Sequence, residues 1–379
     1  MTEKLYYADA YIKNFEARVL SSVKVDGGFE VILDKTAFFP EEGGQSSDKG
    51  EIDGIKVIGV REERGVIYHL LSKEPSGERV KCLLDFDDRF DKMQQHTAEH
   101  ILCGIIHSLW GYDNVGFHLG EDEVTFDINA NLTREQLDLV EEKANEAIFK
   151  NLKVNAEFPG VDRLRELEYR SKIEADDSVR IVTVGDVDAC ACCAPHVSMT
   201  GEIGLIKILD FMKHRGGTRI WMAAGKRALF DYRIKYENIL KISALLSAPQ
   251  HETAEALVKL TKDTEALKNA LKHTREALAK AEASSLPSCQ GNSFTILEDY
   301  SFDELRAFAN EYKKRVGGIT VALSGAEGEY KYILASDTVD LTKVIKEINT
   351  ALSGRGGGKP GMVQGTFLST AEKIKAYFE

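Results

Sequence analysis

Short apolar runs separated by Gly, Asp and Ser fill the beginning of the chain. Val23–Val25, Phe29–Leu33, Ile55–Val60 and Val66–Leu70 each read as a strand. Short strands with glycine turns predict a small β-barrel over residues 1–90. The period then changes. After Asp87 and Asp88, apolar positions recur at helical spacing from Met93 to Trp110. A second helix begins near Asn131 with Thr133 as its cap, and strands follow at 179–184 and 204–210, so residues 91–236 read as an α/β unit. From Ile239 to Ala283, Leu257, Thr264, Leu271 and Leu278 recur every seven residues, with Leu260, Leu267, Thr274 and Ala281 between them. That is the pattern of one long helix, assigned to residues 237–287, with a coiled-coil-like stripe. Such a stripe either packs within its own chain or, if exposed, pairs with a second copy. Pro287, among serines, ends the segment. Residues 288–379 alternate helix and strand, with a glycine-rich loop before a last helix. The predicted class is an α+β to α/β multidomain protein.

Composition changes this picture little. The chain of 379 residues is 43% hydrophobic and 29% charged, enough for several cores. No apolar run approaches the roughly 18 residues of a membrane span, and Met1–Tyr6 lacks the charged head and apolar stretch of a signal peptide. Six cysteines, with Cys190, Cys192 and Cys193 crowded together, make no disulfide framework and fit a reducing compartment. The expectation is a cytoplasmic protein. The net charge of −12 is awkward for a nucleic-acid partner. Lys213, His214, Arg215, Arg219, Lys226, Arg227 and Arg233 do form a basic stretch. On charge alone, a solvated face explains it as well as phosphate binding does.

The candidate chemistry begins at His96-Thr97-Ala98-Glu99-His100. Residues four apart share one helix face, so both imidazoles can reach one ion. Alone, the pair is as easily a polar helix face. Cys192-Cys193-Ala194-Pro195-His196 offers a thiolate and an imidazole around a proline turn. The two pairs together make a four-ligand set suited to Zn²⁺. A rival reading takes His96, Glu99 and His100 as the inverted zinc-protease motif, with Glu99 as general base. Against it, a protease has no use for Cys192 and His196, which would fill the position water needs. Between two strand segments, Gly43 and Gly44 allow a backbone to approach a ligand, and Thr36 and Gln45 offer neutral hydrogen-bonding groups. A polar hairpin turn explains that stretch equally well.

The stretch Thr36-Ala37-Phe38-Phe39-Pro40-Glu41-Glu42-Gly43-Gly44-Gln45 resembles the T-x-F-Y-x-E-x-G-G-Q signature of the alanyl-tRNA synthetase editing domain. His96 to His100 is similar to that family's H-x-x-x-H. Cys192 to His196, followed by Val197 and Thr200–Gly204, is similar to its C-x-x-x-H-V-x-x-T-G-E-I-G. Val115–Gly120, with His118, resembles a segment of the free-standing AlaX relatives. Arg355-Gly356-Gly357-Gly358-Lys359-Pro360 resembles the glycine-rich motif of the DHH-associated domain that ends these synthetases. Two departures stand out. Cys193-Ala194-Pro195 replaces the synthetase's Gly-Gly-Thr, so Cys193 and Cys190 are competing thiolates, and Phe39 replaces a common Tyr.

The resemblance implies a zinc-dependent editing core after the barrel and a DHH-associated domain over 288–379. Metal ligands would be His96, His100, Cys192 and His196; catalytic residues Thr36, Gln45, His96 and His100; and substrate contacts Thr36, Gly43, Gly44, Gln45 and His118. Arg355, Gly356, Gly357, Gly358 and Lys359 would touch tRNA. With no aminoacylation module before the barrel, it further implies a long AlaX-type homodimer acting in trans on mischarged Ser-tRNA(Ala), with Gly-tRNA(Ala) as a second substrate. The non-enzymatic alternative is a tRNA-binding adaptor that has lost catalysis.

Overall fold

A computed structural model describes residues 1–121, 123–171 and 179–379. They form two compact units, Met1–Asn238 and Ile239–Glu379. The first begins with β1 (Glu3–Lys4), α1 (Leu5–Ala8), β2 (Asn14–Val25), β3 (Gly28–Leu33), β4 (Lys35–Thr36), β5 (Gly50–Ile52), β6 (Ile55–Glu63), β7 (Val66–Leu71) and β8 (Arg79–Leu84). Strands β2, β3, β7, β6, β5 and β8 pair in that order and close as a barrel. Alternation drives the closure. Ile67, His69 and Leu71 on β7, and Val80, Cys82 and Leu84 on β8, all point inward, so a curled sheet fills its own interior. His69 is the surprising member of that set.

Helix α2 (Phe86–Trp110) follows, capped by the Asp85 carboxylate and ended by Gly111 in the left-handed region. Almost every residue from Lys92 to Ile106 is buried, as in a helix covered on all sides. Its cover comes from β9 (Asn114–Leu119), β10 (Val124–Ile128), α3 (Arg134–Phe149), β11 (Val154–Glu157), α4 (Val161–Glu166), β12 (Ile181–Val184), β13 (Asp188–Ala191), β14 (Ile206–His214) and β15 (Gly217–Ala224). These strands make two sheets, ordered β14-β15-β10-β9 and β11-β12-β13. Packing against α2 brings β9, β13 and β15 alongside the segment that carries His96 and His100.

Where one helix is predicted from Ile239 to Ala283, the structure has two, α5 (Gly225–Leu246) and α6 (Thr253–Ser285). The break falls at Ser247, with φ of +49°, and at Pro249. Proline has no N–H to give and turns the residue before it out of the helical region. Along α6 the stripe residues Leu257, Leu260, Leu267, Leu271 and Leu278 are exposed, each by more than 50%. Apart from Thr253 at its start, α6 buries residues only near its end, where Ala279 and Ala283 join a core with α7.

The second unit continues with β16 (Ser293–Ile296), α7 (Phe302–Tyr312), β17 (Thr320–Ala326), β18 (Glu329–Ala335), α8 (Leu341–Ala351), β19 (Gly354–Lys359), β20 (Met362–Phe367) and α9 (Ala371–Phe378). The sheet runs β16-β17-β18-β20-β19. Alternate residues of β17 and β18 face opposite layers: Ala322, Ile333 and Ala335 meet α6 and α7, while Val321, Leu323, Tyr332 and Leu334 meet α8 and α9. The glycine-rich segment expected to be a loop is a strand. Residues Gly354–Lys359 are an edge strand, paired residue for residue with β20. A side chain at Gly356 would strike the Tyr332 hydroxyl and the Gln364 carbonyl, so glycine is what lets this strand lie flat on its neighbour.

Candidate metal centre

Three imidazoles and one thiolate converge where α2 meets the turn after β13. The ligand atoms of His96, His100, Cys192 and His196 all lie within 4.8 Å of one another. Cys192 Sγ is 3.7 Å from His96 Nε2 and 3.3 Å from His196 Nε2. The α2 spacing puts His96 and His100 on one face, and the turn through Pro195 folds His196 back towards Cys192. Arg180 fixes that turn: its guanidinium donates to the carbonyls of Cys192 and Ala194, both at 2.9 Å, and its own carbonyl accepts the Cys192 N–H.

Each ring is oriented by a different acceptor on its far nitrogen. His96 Nδ1 lies 2.8 Å from Gln45 Oε1 and His100 Nδ1 lies 3.0 Å from Asp188 Oδ2. His196 Nδ1 lies 3.0 Å from Thr97 Oγ1, whose own proton goes to the Met93 carbonyl. An amide oxygen and a carboxylate can only accept, and Thr97 has already spent its proton. All three Nδ1 atoms therefore carry hydrogen, and all three Nε2 atoms are turned to the centre. That is the arrangement expected of metal-binding histidines.

Electrostatics selects among the thiols. Burial would raise the Cys192 thiol, but His96, His196 and His100 around it outweigh that and hold it well below the ordinary range. Burial pushes Cys190 and Cys193 up, leaving both as thiols. Only Cys192 of the three is a ready thiolate. Burial also pushes His196 down to about 3. For His100 the desolvation is overcome by Asp188 and Cys192, which hold it well above its ordinary value. The donor set therefore fits a divalent ion that takes nitrogen and sulfur ligands, and the cluster can hold a metal ion.

The remaining predicted residues separate. Gln45, fully buried, joins the centre through His96, and its amide Nε2 has no partner among the described residues. Gly44, at φ of +84°, approaches protein and not ligand: a Cβ there would lie 2.3 Å from the Phe117 carbonyl oxygen. This close contact lays the Gly43–Gln45 loop along β9, where the Phe117 ring lies tilted against that of His96, centroids 4.7 Å apart. His118 is not brought to the cluster. It follows Phe117 on a strand, so alternation turns it to the exposed face. Thr36 is buried, bonded to His69 Nε2 at 2.8 Å and accepting the Phe38 N–H at 3.1 Å. Glu99, the general base of the protease reading, is instead held by the Cys103 thiol and the Asn114 amide. Within the basic stretch, Arg219, Lys226 and Arg227 are paired with Asp127, Asp87 and Asp91, which answers much of its charge locally. Arg355 and Lys359 are exposed on β19. Thr97, Asp188, Arg170, Arg180 and His69 escaped the sequence reading. Thr97 alone lay within a recognised motif.

The comparisons agree with this geometry. Residues 179–220, which include Cys192 and His196, match the family described as the threonyl and alanyl tRNA synthetase second additional domain, and residues 291–378 match the DHHA1 domain. The chain thus carries a segment similar to that second additional domain and, further on, one similar to a DHHA1 domain. Over almost its whole length it is similar to the alanyl-tRNA editing protein AlaX-L of Pyrococcus horikoshii, 28% identical over 99% of this chain and 96% of that one. It is 29% identical to the alanyl-tRNA editing protein Aarsd1 of Danio rerio, over 97% and 94% of the two chains. It is 30% identical to the alanine–tRNA ligase of Halorubrum lacusprofundi, of which it spans 42%. Among the described residues no helix is long and apolar enough to cross a membrane.

Proposed function

We propose that this chain is a zinc-dependent deacylase that frees tRNA(Ala) of the wrong amino acid in trans, hydrolysing Ser-tRNA(Ala) and, secondarily, Gly-tRNA(Ala). The observation that carries the reading is the convergence of three imidazoles and one thiolate beside a buried amide donor with no partner among the described residues. Relatives matched almost end to end are named alanyl-tRNA editing proteins, which supports the substrate class. The need is physical. Serine exceeds alanine by one hydroxyl, which a synthetase pocket rejects poorly, so a second, hydrolytic site supplies the fidelity that binding cannot.

The bond cleaved joins the amino acid's carbonyl carbon to a ribose oxygen of the terminal nucleotide. Water adds at the carbonyl carbon, and the ribose oxygen leaves with a proton. Bound Zn²⁺ would supply a positive centre that orients the ester or its ribose; with four protein ligands, that positioning role suits it better than activation of water. Gln45 would donate its free Nε2–H to the ester carbonyl as charge develops there. Thr36 would accept from the seryl hydroxyl. Arg355 and Lys359, at the edge of the second unit's sheet, would meet tRNA phosphates, and the exposed α6 stripe would pair two copies in the cytoplasm. Release of labelled serine from Ser-tRNA(Ala), set against release of alanine from Ala-tRNA(Ala), tests the reading. Serine should leave much faster; a chain that binds the tRNA and releases neither is an adaptor.

A further inference from the structure

His100 has two neighbourhoods. Its Nε2 faces the centre with Cys192, and its Nδ1 faces Asp188, whose side chain is 2% exposed. The same carboxylate takes a two-pronged grip from Arg170, Nε to Oδ1 at 2.8 Å and Nη2 to Oδ2 at 2.9 Å. Arg170 is itself pinned to β13: its N–H donates to the Ala189 carbonyl and its carbonyl accepts from Ala191 N–H. This is a built arrangement. Gly104, one turn beyond His100 on α2, leaves the room for it; a Cβ there would stand 2.6 Å from both Asp188 Cβ and the Val187 carbonyl.

Two uses of this carboxylate are possible on composition. His100, Asp188 and Cys190 also place ligand atoms within 4.8 Å, enough for a second ion. Arg170 decides between them. A guanidinium already occupies both carboxylate oxygens, so a second cation there would meet a fixed positive charge with few lone pairs left to bind it.

We infer that Asp188, held by Arg170, is a positioning residue that fixes His100 as a metal ligand, and that no second metal site exists beside it. The carboxylate accepts the Nδ1 hydrogen and so commits Nε2 to the metal; it also raises the electron density the ring offers. Losing such a partner typically weakens metal binding about 10–100-fold. Asp188→Asn keeps a neutral acceptor and should fall between wild type and Asp188→Ala.

The inference rests on the metal reading above, and one set of titrations separates the two. Metal-free wild-type, Asp188→Ala, Asp188→Asn and Arg170→Gln proteins are titrated with Zn²⁺ against a competing chelator, and with Co²⁺ followed by its visible spectrum. One metal per chain is expected throughout, with affinity falling by about 10–100-fold for Asp188→Ala, less for Asp188→Asn and Arg170→Gln, and a shifted Co²⁺ spectrum in Asp188→Ala. Arg170→Gln leaves the carboxylate in place and serves should Asp188→Ala fail to fold. Equal affinities across the foldable set overturn the positioning role, even where thermal stability drops. Two metals in wild type, one lost in Asp188→Ala, overturn it in favour of a second site. Wild type that takes up no metal ends the metal reading and this one with it.

Discussion

His69 sits inside the barrel with no exposed surface, and its chemistry there is fully determined. Its Nδ1 faces the Val31 carbonyl at 3.1 Å, so that nitrogen carries the hydrogen and Nε2 accepts from Thr36. Burial pushes its pKa down to about 4 from 6.5. The unfolded chain therefore binds one more proton than the folded chain between those values. Stability is full above pH 6.5 and falls as the pH drops towards 4, by about 3 kcal/mol in all. His69→Gln supplies an amide that can donate to Val31 and accept from Thr36 without titrating. Urea unfolding across that pH range should show the loss shrink by about that amount in the variant; parallel curves would place the acid sensitivity elsewhere. The same geometry reshapes the part played by Thr36. Its proton is spent on His69 and one lone pair on Phe38, so it can only accept from a seryl hydroxyl. Thr36→Val removes that acceptor and strands two buried groups, at about 1–3 kcal/mol of stability. Serine hydrolysis should slow roughly threefold to tenfold relative to glycine hydrolysis at a temperature where both proteins are folded. Equal slowing of both would make Thr36 a packing residue.

Helix α2 shows what was legible at the level of elements. The spacing of His96 and His100 declares a shared face, and Asp87 and Asp88 mark the start; both are local properties that a sequence displays. Asp188 has no such signal. It reaches His100 because β13 packs on α2 across 88 positions of chain, and the allowance for that contact is the missing side chain of Gly104. Thr97 lies within the histidine motif, yet nothing local shows its use, which depends on a turn 99 residues away. The β19 glycines looked like a loop because nothing local reveals that Tyr332 and Gln364 crowd them. Gly104→Ala tests the helix contact. Helix propensity favours alanine by about 1 kcal/mol, yet a Cβ 2.6 Å from the Val187 carbonyl forces β13 away. Overpacking of this kind costs about 1–3 kcal/mol, so the variant should be less stable on urea unfolding despite its better helix former. A more stable Gly104→Ala protein would show that β13 yields easily.

At the scale of the whole molecule, the α6 stripe is an apolar surface that nothing among the described residues covers. Five leucines at heptad-like spacing stand exposed on one helix of a chain carrying a net charge of −12. Water is a poor neighbour for such a row, and a second α6 is a suitable one. Light scattering at micromolar concentration should give twice the 42.1 kDa chain mass. The double variant Leu267→Glu/Leu271→Glu should give the single mass with unchanged circular dichroism. A strict wild-type monomer would leave the stripe to another partner.

All of this converges on one claim, that the four-ligand centre serves the removal of serine from tRNA(Ala). The most direct measurement is the initial rate of serine release from Ser-tRNA(Ala) by the intact protein before chelation, after chelation and after stoichiometric Zn²⁺ is returned. The account predicts a loss of most activity on chelation and its recovery with Zn²⁺, with no recovery in the His100→Ala/Cys192→Ala protein. Full activity in the chelated, metal-free wild type would contradict it.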